Sequence, residues 1–247
     1  MVSSRVAVYN LATIDVAKVI MFVTDSSLNQ TNKPEKKRFV ILISGLGSNM
    51  QQIAQLANDF SSRVSIQAVV SNKASAAGLD WAAERGIETA VVDHRLFSDR
   101  EKFDQALARV VVKFEPDYVL LAGFMRILTP GFVNQFKGRL INIHPSLLPA
   151  FPGLHTHARA IEAGVQRHGC SVHFVTDELD HGPVIAQAAL EVSTTETPEQ
   201  LAQRVLVLEH QLYPEVVQWL SRDQVTLDDN GKVTLHGVSY RHIGTSE

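Results

Sequence analysis

Short apolar runs alternate with segments of helical periodicity along residues 38–144. The runs are typical of strands buried on both faces of a parallel sheet, and the periodic segments predict amphipathic helices. This alternation indicates an α/β fold with a doubly wound, mostly parallel sheet and right-handed crossovers. The predicted strands span residues 38–44, 64–71, 88–93, 117–121 and 138–141, and the predicted helices span residues 50–60, 75–86, 98–113 and 130–136.

The pattern changes in the later half of the chain. A short helix is predicted at residues 157–162, and two strands at 169–176 and 184–192 are joined by a loop that favours an antiparallel pair. Residues 197–200 have the sequence of a capping box with Pro at the first helical position, so they begin a long helix, and residues 228–231 predict a hairpin turn. One face of the long helix carries Leu201, Val205, Leu208 and Leu212.

Residues 1–37 differ from the rest of the chain. The stretch from Asp25 to Lys37 is polar and charged and contains a proline, which predicts a disordered extension. Met21 lies just upstream of this stretch and leaves a second start site open. The expected organisation is therefore an extension over residues 1–37 and one domain over residues 38–247.

Composition narrows the classes of function. The chain has 247 residues, of which 45% are hydrophobic and 20% charged, enough for one large domain with a core. A net charge of -3 and a pI near 6.4 argue against a nucleic-acid surface. No apolar run reaches the roughly 18 residues of a membrane span, and a single cysteine excludes an intrachain disulfide. We expect a cytoplasmic protein.

Asn142 and His144 lie two residues apart where the fifth predicted strand ends. Alternation along a strand points both side chains to the same face, and ligands of open α/β sheets bind at the carboxyl ends of strands. An Asn amide can donate to a developing oxyanion, and a His can donate or carry a proton. The alternative is a strand end whose histidine is satisfied structurally.

The segment Gly45–Asn49 joins the first predicted strand to a helix. Glycines allow close approach of the backbone, and the amides at a helix N-terminus favour a phosphate. Because the segment lacks both the dinucleotide fingerprint and a Walker lysine, it predicts neither ligand class. An ordinary tight turn is the competing interpretation.

Four further features each allow two interpretations. Gly123–Arg126 either lines a ligand slot or packs on the core, and Asp180 either turns inward to orient His144 or belongs to a solvated acidic turn. His155 and His157 are interpreted as loop histidines rather than metal ligands. Glu209 lies beside the apolar face of the long helix, so it binds either a ribose diol or a structural partner.

Together these motifs resemble the phosphoribosylglycinamide formyltransferases, which are folate-dependent enzymes of purine synthesis. The resemblance runs from about Arg38 to Leu220. It rests on the segments Ile43–Asn49, Ser71–Lys73, Leu121–Leu128, Asn142–Pro149, Pro152–His157 and Ser171–Asp180.

The resemblance implies roles for individual residues. A phosphate-binding half is expected over residues 38–137, and a folate-binding and catalytic half over residues 138–247. The implied sets are Gly47, Ser48, Asn49 and Glu209 for the ribonucleotide; Arg100, Met125, Arg126, Leu128, Asn142, Val175, Thr176 and Asp177 for the folate; and Asn142, His144 and Asp180 for catalysis.

The implied reaction moves a formyl group from 10-formyltetrahydrofolate to the amine of glycinamide ribonucleotide, without a metal ion. Asn142 and protonated His144 are expected to stabilise the tetrahedral oxyanion, and Asp180 to orient His144 and relay a proton. Leu46 and Leu206 replace polar residues that are frequent in the family, and Leu206 leaves one substrate hydrogen bond open. The expected partners are small molecules, with a monomer or a homodimer as the assembly.

Three alternatives differ in class. A formyltetrahydrofolate deformylase has water as its acceptor, but 37 N-terminal residues are too few for that family's regulatory domain. A methionyl-tRNA formyltransferase needs a longer C-terminal domain and a more positive charge. A non-catalytic nucleotide-binding module does not need Asn142, His144 and Asp180 together.

Overall fold

The computed structural model describes residues 35–59 and 61–238. The extension as far as residue 34, Met21 within it and Phe60 at the predicted end of the first helix lie outside these residues. The strands are β1 (Lys37–Ile43), β2 (Val64–Ser71), β3 (Thr89–Val91), β4 (Tyr118–Leu121), β5 (Leu140–His144), β6 (Arg167–Phe174), β7 (Val184–Glu191), β8 (Val225–Leu227) and β9 (Val233–Leu235). The helices are α1 (Ser48–Leu56), α2 (Ala77–Ala83), α3 (Arg100–Val112), α4 (Pro130–Gln135), α5 (Thr156–Glu162) and α6 (Pro198–Ser221).

In this part of the chain, seven strands form one sheet in the order β3-β2-β1-β4-β5-β6-β7. Pairing is parallel from β3 to β5, whereas β6 runs antiparallel to both β5 and β7. The α/β fold and the antiparallel later part are therefore confirmed. The strand order reverses between β1 and β4, and their carboxyl ends open the crevice where ligands bind in such sheets.

Strand β1 is buried on both faces. Phe39, Ile41 and Ile43 pack into the core beneath α1 and α6, while Val40 and Leu42 pack into the core beneath α3. Successive side chains of a strand point to opposite faces of the sheet. When helices cover both faces, every position of the strand is therefore apolar. This explains why the sequence shows a continuous apolar run here.

Helix α6 begins as predicted. Thr197 Oγ1 accepts a hydrogen bond from the Gln200 backbone N–H, and the Gln200 side-chain oxygen accepts one from the Thr197 backbone N–H. The predicted apolar face of α6 is buried. Among the helices of the described ranges, none combines the length and the hydropathy of a membrane-spanning segment.

Several predicted boundaries shift. Helix α1 begins at Ser48 rather than Met50, because Gly47 adopts a left-handed backbone (φ 66°) and turns the chain directly into the helix. Helix α5 begins at Thr156, so His157 is helical, and only His155 remains outside it. Strand β3 is shorter than predicted, since it is an edge strand that pairs with only the last residues of β2. The Leu148–Pro149 peptide bond is cis.

Candidate active site

The N-terminus of α1 faces the crevice at the end of β1. No described side chain caps this terminus, so the first-turn amides of Ser48 and Asn49 are free to bind an anion. Gly47 is required at the turn, because a side chain there would be strained at its positive φ and would meet Met50 at 3.0 Å. The predicted phosphate loop thus has the backbone geometry of an anion site.

Glu209 lies across from this helix on α6. Its Oε2 accepts a 2.6 Å hydrogen bond from Nδ2 of Asn49. Burial raises the pKa of the Glu209 carboxyl, and the hydrogen bond from Asn49 opposes that shift. Leu206 precedes Glu209 by one helical turn and is 36% exposed, so it offers an apolar surface beside the carboxylate.

Asn142 and His144 lie at the carboxyl end of β5, where His144 is only 6% exposed. Nδ1 of His144 is 3.4 Å from Oδ2 of Asp180, and Nε2 donates a 3.0 Å hydrogen bond to the Phe151 carbonyl. Both ring nitrogens therefore face acceptors, an arrangement that the protonated ring satisfies at both positions.

Asp180 turns inward from the loop between β6 and β7. Its side chain is 8% exposed, whereas Asp177 and Glu178 beside it are exposed. Its Oδ2 also accepts a 2.8 Å hydrogen bond from the Gly153 amide. Of the two interpretations of this acidic turn, the geometry favours an inward carboxylate facing His144.

Sequence reasoning missed one residue of this cluster, His173. It lies on β6 directly opposite Asn142 and is 1% exposed. Its Nε2 is 3.2 Å from Nδ2 of Asn142 and 3.9 Å from Oδ1 of Asp180. Its place within the family-like segment Ser171–Asp180 was the available signal, but its partner depends on strand register.

Apart from Asn142 on β5, the residues of the expected folate side are spread over three segments. Met125, Arg126 and Leu128 follow β4, Arg100 opens α3, and Val175–Asp177 follows β6. The loop after β4 is held at both ends, since Ser44 Oγ accepts from the Met125 amide and Asp104 accepts from the Thr129 amide.

The side chains of this loop divide between solvent and core. Met125 is largely exposed, Leu128 packs against the core beneath α3, and the Arg126 guanidinium lies 5.0 Å from the Phe103 ring centroid. Val175 packs against the same core, while Arg100, Thr176 and Asp177 are exposed. The segment Gly123–Arg126 therefore combines both interpretations, core packing and an accessible surface.

Two histidines outside this cluster form a pair. Nε2 of His168 is 3.2 Å from Nδ1 of His157, and the rings meet edge to face. Burial lowers the pKa of both rings, that of His168 to about 4. Within the described ranges, no three His, Cys, Asp or Glu residues are grouped so as to hold a metal ion.

A family model and similar curated proteins found for this chain agree on one family. Residues 37–217 match the formyl transferase family model. The phosphoribosylglycinamide formyltransferase of Escherichia coli K12 is 47% identical over 191 residues, which cover 77% of this chain and 90% of that protein. The bovine trifunctional purine biosynthetic protein adenosine-3 is 44% identical over 201 residues; the match covers 81% of this chain but only 20% of that relative's length.

Solved structures agree. The phosphoribosylglycinamide formyltransferase of Coxiella burnetii superposes with a TM-score of 0.77 at 44% identity, covering 82% of this chain and 95% of that chain. Glycinamide ribonucleotide transformylase 1 of Symbiobacterium toebii gives a TM-score of 0.78 at 38% identity, covering 81% and 94%.

Proposed function

Because this chain belongs to the formyl transferase family, we propose that it transfers the formyl group of 10-formyltetrahydrofolate to the amine of 5'-phosphoribosylglycinamide. The products are formylglycinamide ribonucleotide and tetrahydrofolate, and the reaction serves purine biosynthesis in the cytoplasm. The observation that carries the proposal is the contact between buried His144 and Asp180 (Nδ1 to Oδ2, 3.4 Å) beside Asn142.

The ribonucleotide binds along α1 and α6. Its phosphate lies on the amides of Gly47, Ser48 and Asn49, and its ribose diol donates to Glu209. The uncapped N-terminus of α1 supports the first contact, and the partly buried carboxylate of Glu209 supports the second. This half of the site corresponds to residues 38–137, with Glu209 contributed from the later half.

The folate binds against the loop after β4 and the segment after β6. Arg100, Met125, Arg126, Leu128, Asn142, Val175, Thr176 and Asp177 form this side of the site. The exposed side chain of Met125 supports an apolar contact with the pterin and benzoyl rings, and the positive charge of exposed Arg100 suits an anionic tail. Residues 138–247 supply the catalytic groups.

The neutral amine of the ribonucleotide attacks the formyl carbon and forms a tetrahedral intermediate. Asn142 and His144 donate hydrogen bonds to the oxyanion of this intermediate. Loss of one such donor lowers the rate by a factor of roughly 10²–10³. Since the Phe151 carbonyl accepts from Nε2 of His144, substrate must replace that contact. Asp180 holds His144 and relays a proton from the attacking amine to the folate nitrogen. The bond between that nitrogen and the formyl carbon then breaks and releases tetrahydrofolate. No step of this proposal uses a metal ion.

An assay with two arms tests this proposal. Purified protein is mixed with 10-formyl-5,8-dideazafolate, with and without glycinamide ribonucleotide. Release of the deformylated product only when the ribonucleotide is present is the expected result. Release without the ribonucleotide identifies a deformylase instead, and no release in either arm contradicts the proposal.

A further inference from the structure

The hydrogen bonds of His173 fix which of its nitrogens carries a proton. Nδ1 lies 2.8 Å from the backbone carbonyl of Phe174, and a carbonyl oxygen only accepts hydrogen bonds. Nδ1 must therefore be protonated. A neutral imidazole has one N–H, so Nε2 presents a lone pair.

That lone pair faces the side chain of Asn142. Nδ2 of Asn142 is 3.2 Å from Nε2 of His173, and an amide nitrogen is the group that can donate to it. The orientation of the amide is thus set by its neighbour rather than left free to flip. One of the two N–H bonds of the amide is used by His173, and the second is free for a ligand.

Protonation of His173 would reverse this arrangement. With a proton on Nε2, two donors would face each other across 3.2 Å, so the amide would have to rotate and present its oxygen. Two titratable groups face the His173 ring: Asp180, whose Oδ1 is 3.9 Å from Nε2, and His144 on β5. On the other neighbouring strand, β7, the residue paired with His173 is Val184, which does not titrate. Burial is the largest influence on the pKa of His173 and lowers it, which favours the neutral ring.

Gly182 packs against the Phe174 carbonyl, which is the acceptor for Nδ1 of His173. A Cβ atom at residue 182 would lie 1.7 Å from the Phe174 carbonyl oxygen and 3.4 Å from Nδ1 of His173. Any side chain there would displace the acceptor that keeps the proton on Nδ1. The backbone of the loop between β6 and β7 is therefore packed against the carbonyl that selects the tautomer.

We infer that His173 is a positioning residue that, through its unprotonated Nε2, holds Asn142 with an amide N–H directed at the formyl oxygen of the substrate. This inference rests on the proposed function and deepens it. His173 itself does not touch the reacting atoms; it acts through Asn142.

A double-mutant cycle tests the inference. We expect His173→Leu, which removes the acceptor, to lower kcat about tenfold with little change in either KM, as for a lost orientation of about 1.4 kcal/mol. His173→Gln, which restores an oxygen acceptor, should recover most of kcat. In an Asn142→Ala background, His173→Leu should have no further effect, because its route to the substrate is gone. His236→Leu, an exposed histidine, is the matched control.

Two results would overturn the inference. One is a wild-type kcat in His173→Leu, and the other is an additive loss in the double mutant. If the Leu variant does not fold, the nitrogen-15 spectrum of labelled wild-type protein tests the inference through the protonation of the His173 ring. A neutral ring protonated at Nδ1 supports the inference, and a ring protonated at Nε2 overturns it. This spectrum does not depend on turnover, so an inactive wild-type protein would contradict the proposed function while the tautomer is still determined.

Discussion

Asn49 on α1 and Glu209 on α6 are joined by a 2.6 Å hydrogen bond from Nδ2 to Oε2, although 160 positions separate them in the chain. The bond connects the first turn of the predicted phosphate-binding helix to the predicted ribose ligand. The bond therefore sets the separation of the two parts of the proposed ribonucleotide site in the protein without ligand. A contact formed in advance lowers the entropy cost of ordering these side chains on binding.

Glu209→Gln should weaken binding of the ribonucleotide. The variant loses the charged acceptor for the ribose diol, and a lost hydrogen bond to a charged group costs about 1.5–3 kcal/mol. We expect KM for glycinamide ribonucleotide to rise roughly ten- to hundredfold, with kcat and the folate KM little changed. Steady-state kinetics with each substrate varied measures this, with Glu199→Gln as the exposed control. An unchanged ribonucleotide KM would remove Glu209 from the site.

Asp180→Asn should affect the chemical step. The variant keeps the size of the side chain but removes the negative charge beside His144, so the ring loses its charged partner. We expect kcat to fall by roughly 10²–10³, similar to the loss of one oxyanion donor in Asn142→Ala. Single-turnover kinetics separates this from binding, and Asp229→Asn in the exposed hairpin turn should retain wild-type rates. Near wild-type turnover in both Asn142→Ala and Asp180→Asn would show that the catalytic assignment is wrong.

The free energy of unfolding should decrease as the pH is lowered, because His168 has a lowered pKa in the folded protein. Burial first, and then the charge of His157, lower the pKa of His168 from 6.5 to about 4 in the folded protein. Below pH 6.5 the unfolded chain binds a proton that the folded chain does not, so stability present above pH 6.5 is lost as the pH falls towards 4. Between pH 7 and pH 5 this amounts to about 2 kcal/mol.

Urea denaturation at these two pH values measures the effect. His168→Gln should reduce the loss of stability between them, whatever its effect at pH 7, whereas His236→Gln should leave the difference unchanged. An equal pH dependence in wild type and His168→Gln would assign the effect to other groups.

Asp104→Ala should destabilise the loop after β4. Asp104 is buried and accepts a hydrogen bond from the Thr129 amide, which would be left without this acceptor. A buried unsatisfied donor costs about 1–3 kcal/mol in the free energy of unfolding, and Asp104→Asn, which retains an acceptor, should cost less. Urea denaturation compares the two variants. Equal stability of the Ala variant and wild type would show that Thr129 finds another acceptor.

The sequence alone determined the elements of the fold and most of the residues of the candidate site. Continuous apolar runs identified the buried strands, and the Thr197–Gln200 capping box identified the start of α6, because these features depend on neighbouring residues. The short connection between residues 176 and 184 was enough to predict the antiparallel pair β6 and β7. Local chemistry also selected Gly45–Asn49, Asn142 and His144 as candidates.

Tertiary structure decided which of these residues meet. The pairing of β5 with β6 places His173 opposite Asn142, and a one-residue shift of register would point it to the other face of the sheet. Likewise, the sequence left Asp180 between a solvated turn and an inward carboxylate, and Glu209 between a ribose ligand and a structural partner. Contacts between residues far apart in the chain depend on strand register and helix packing, which the whole core determines; the local pattern therefore predicted the parts of the site but not their contacts.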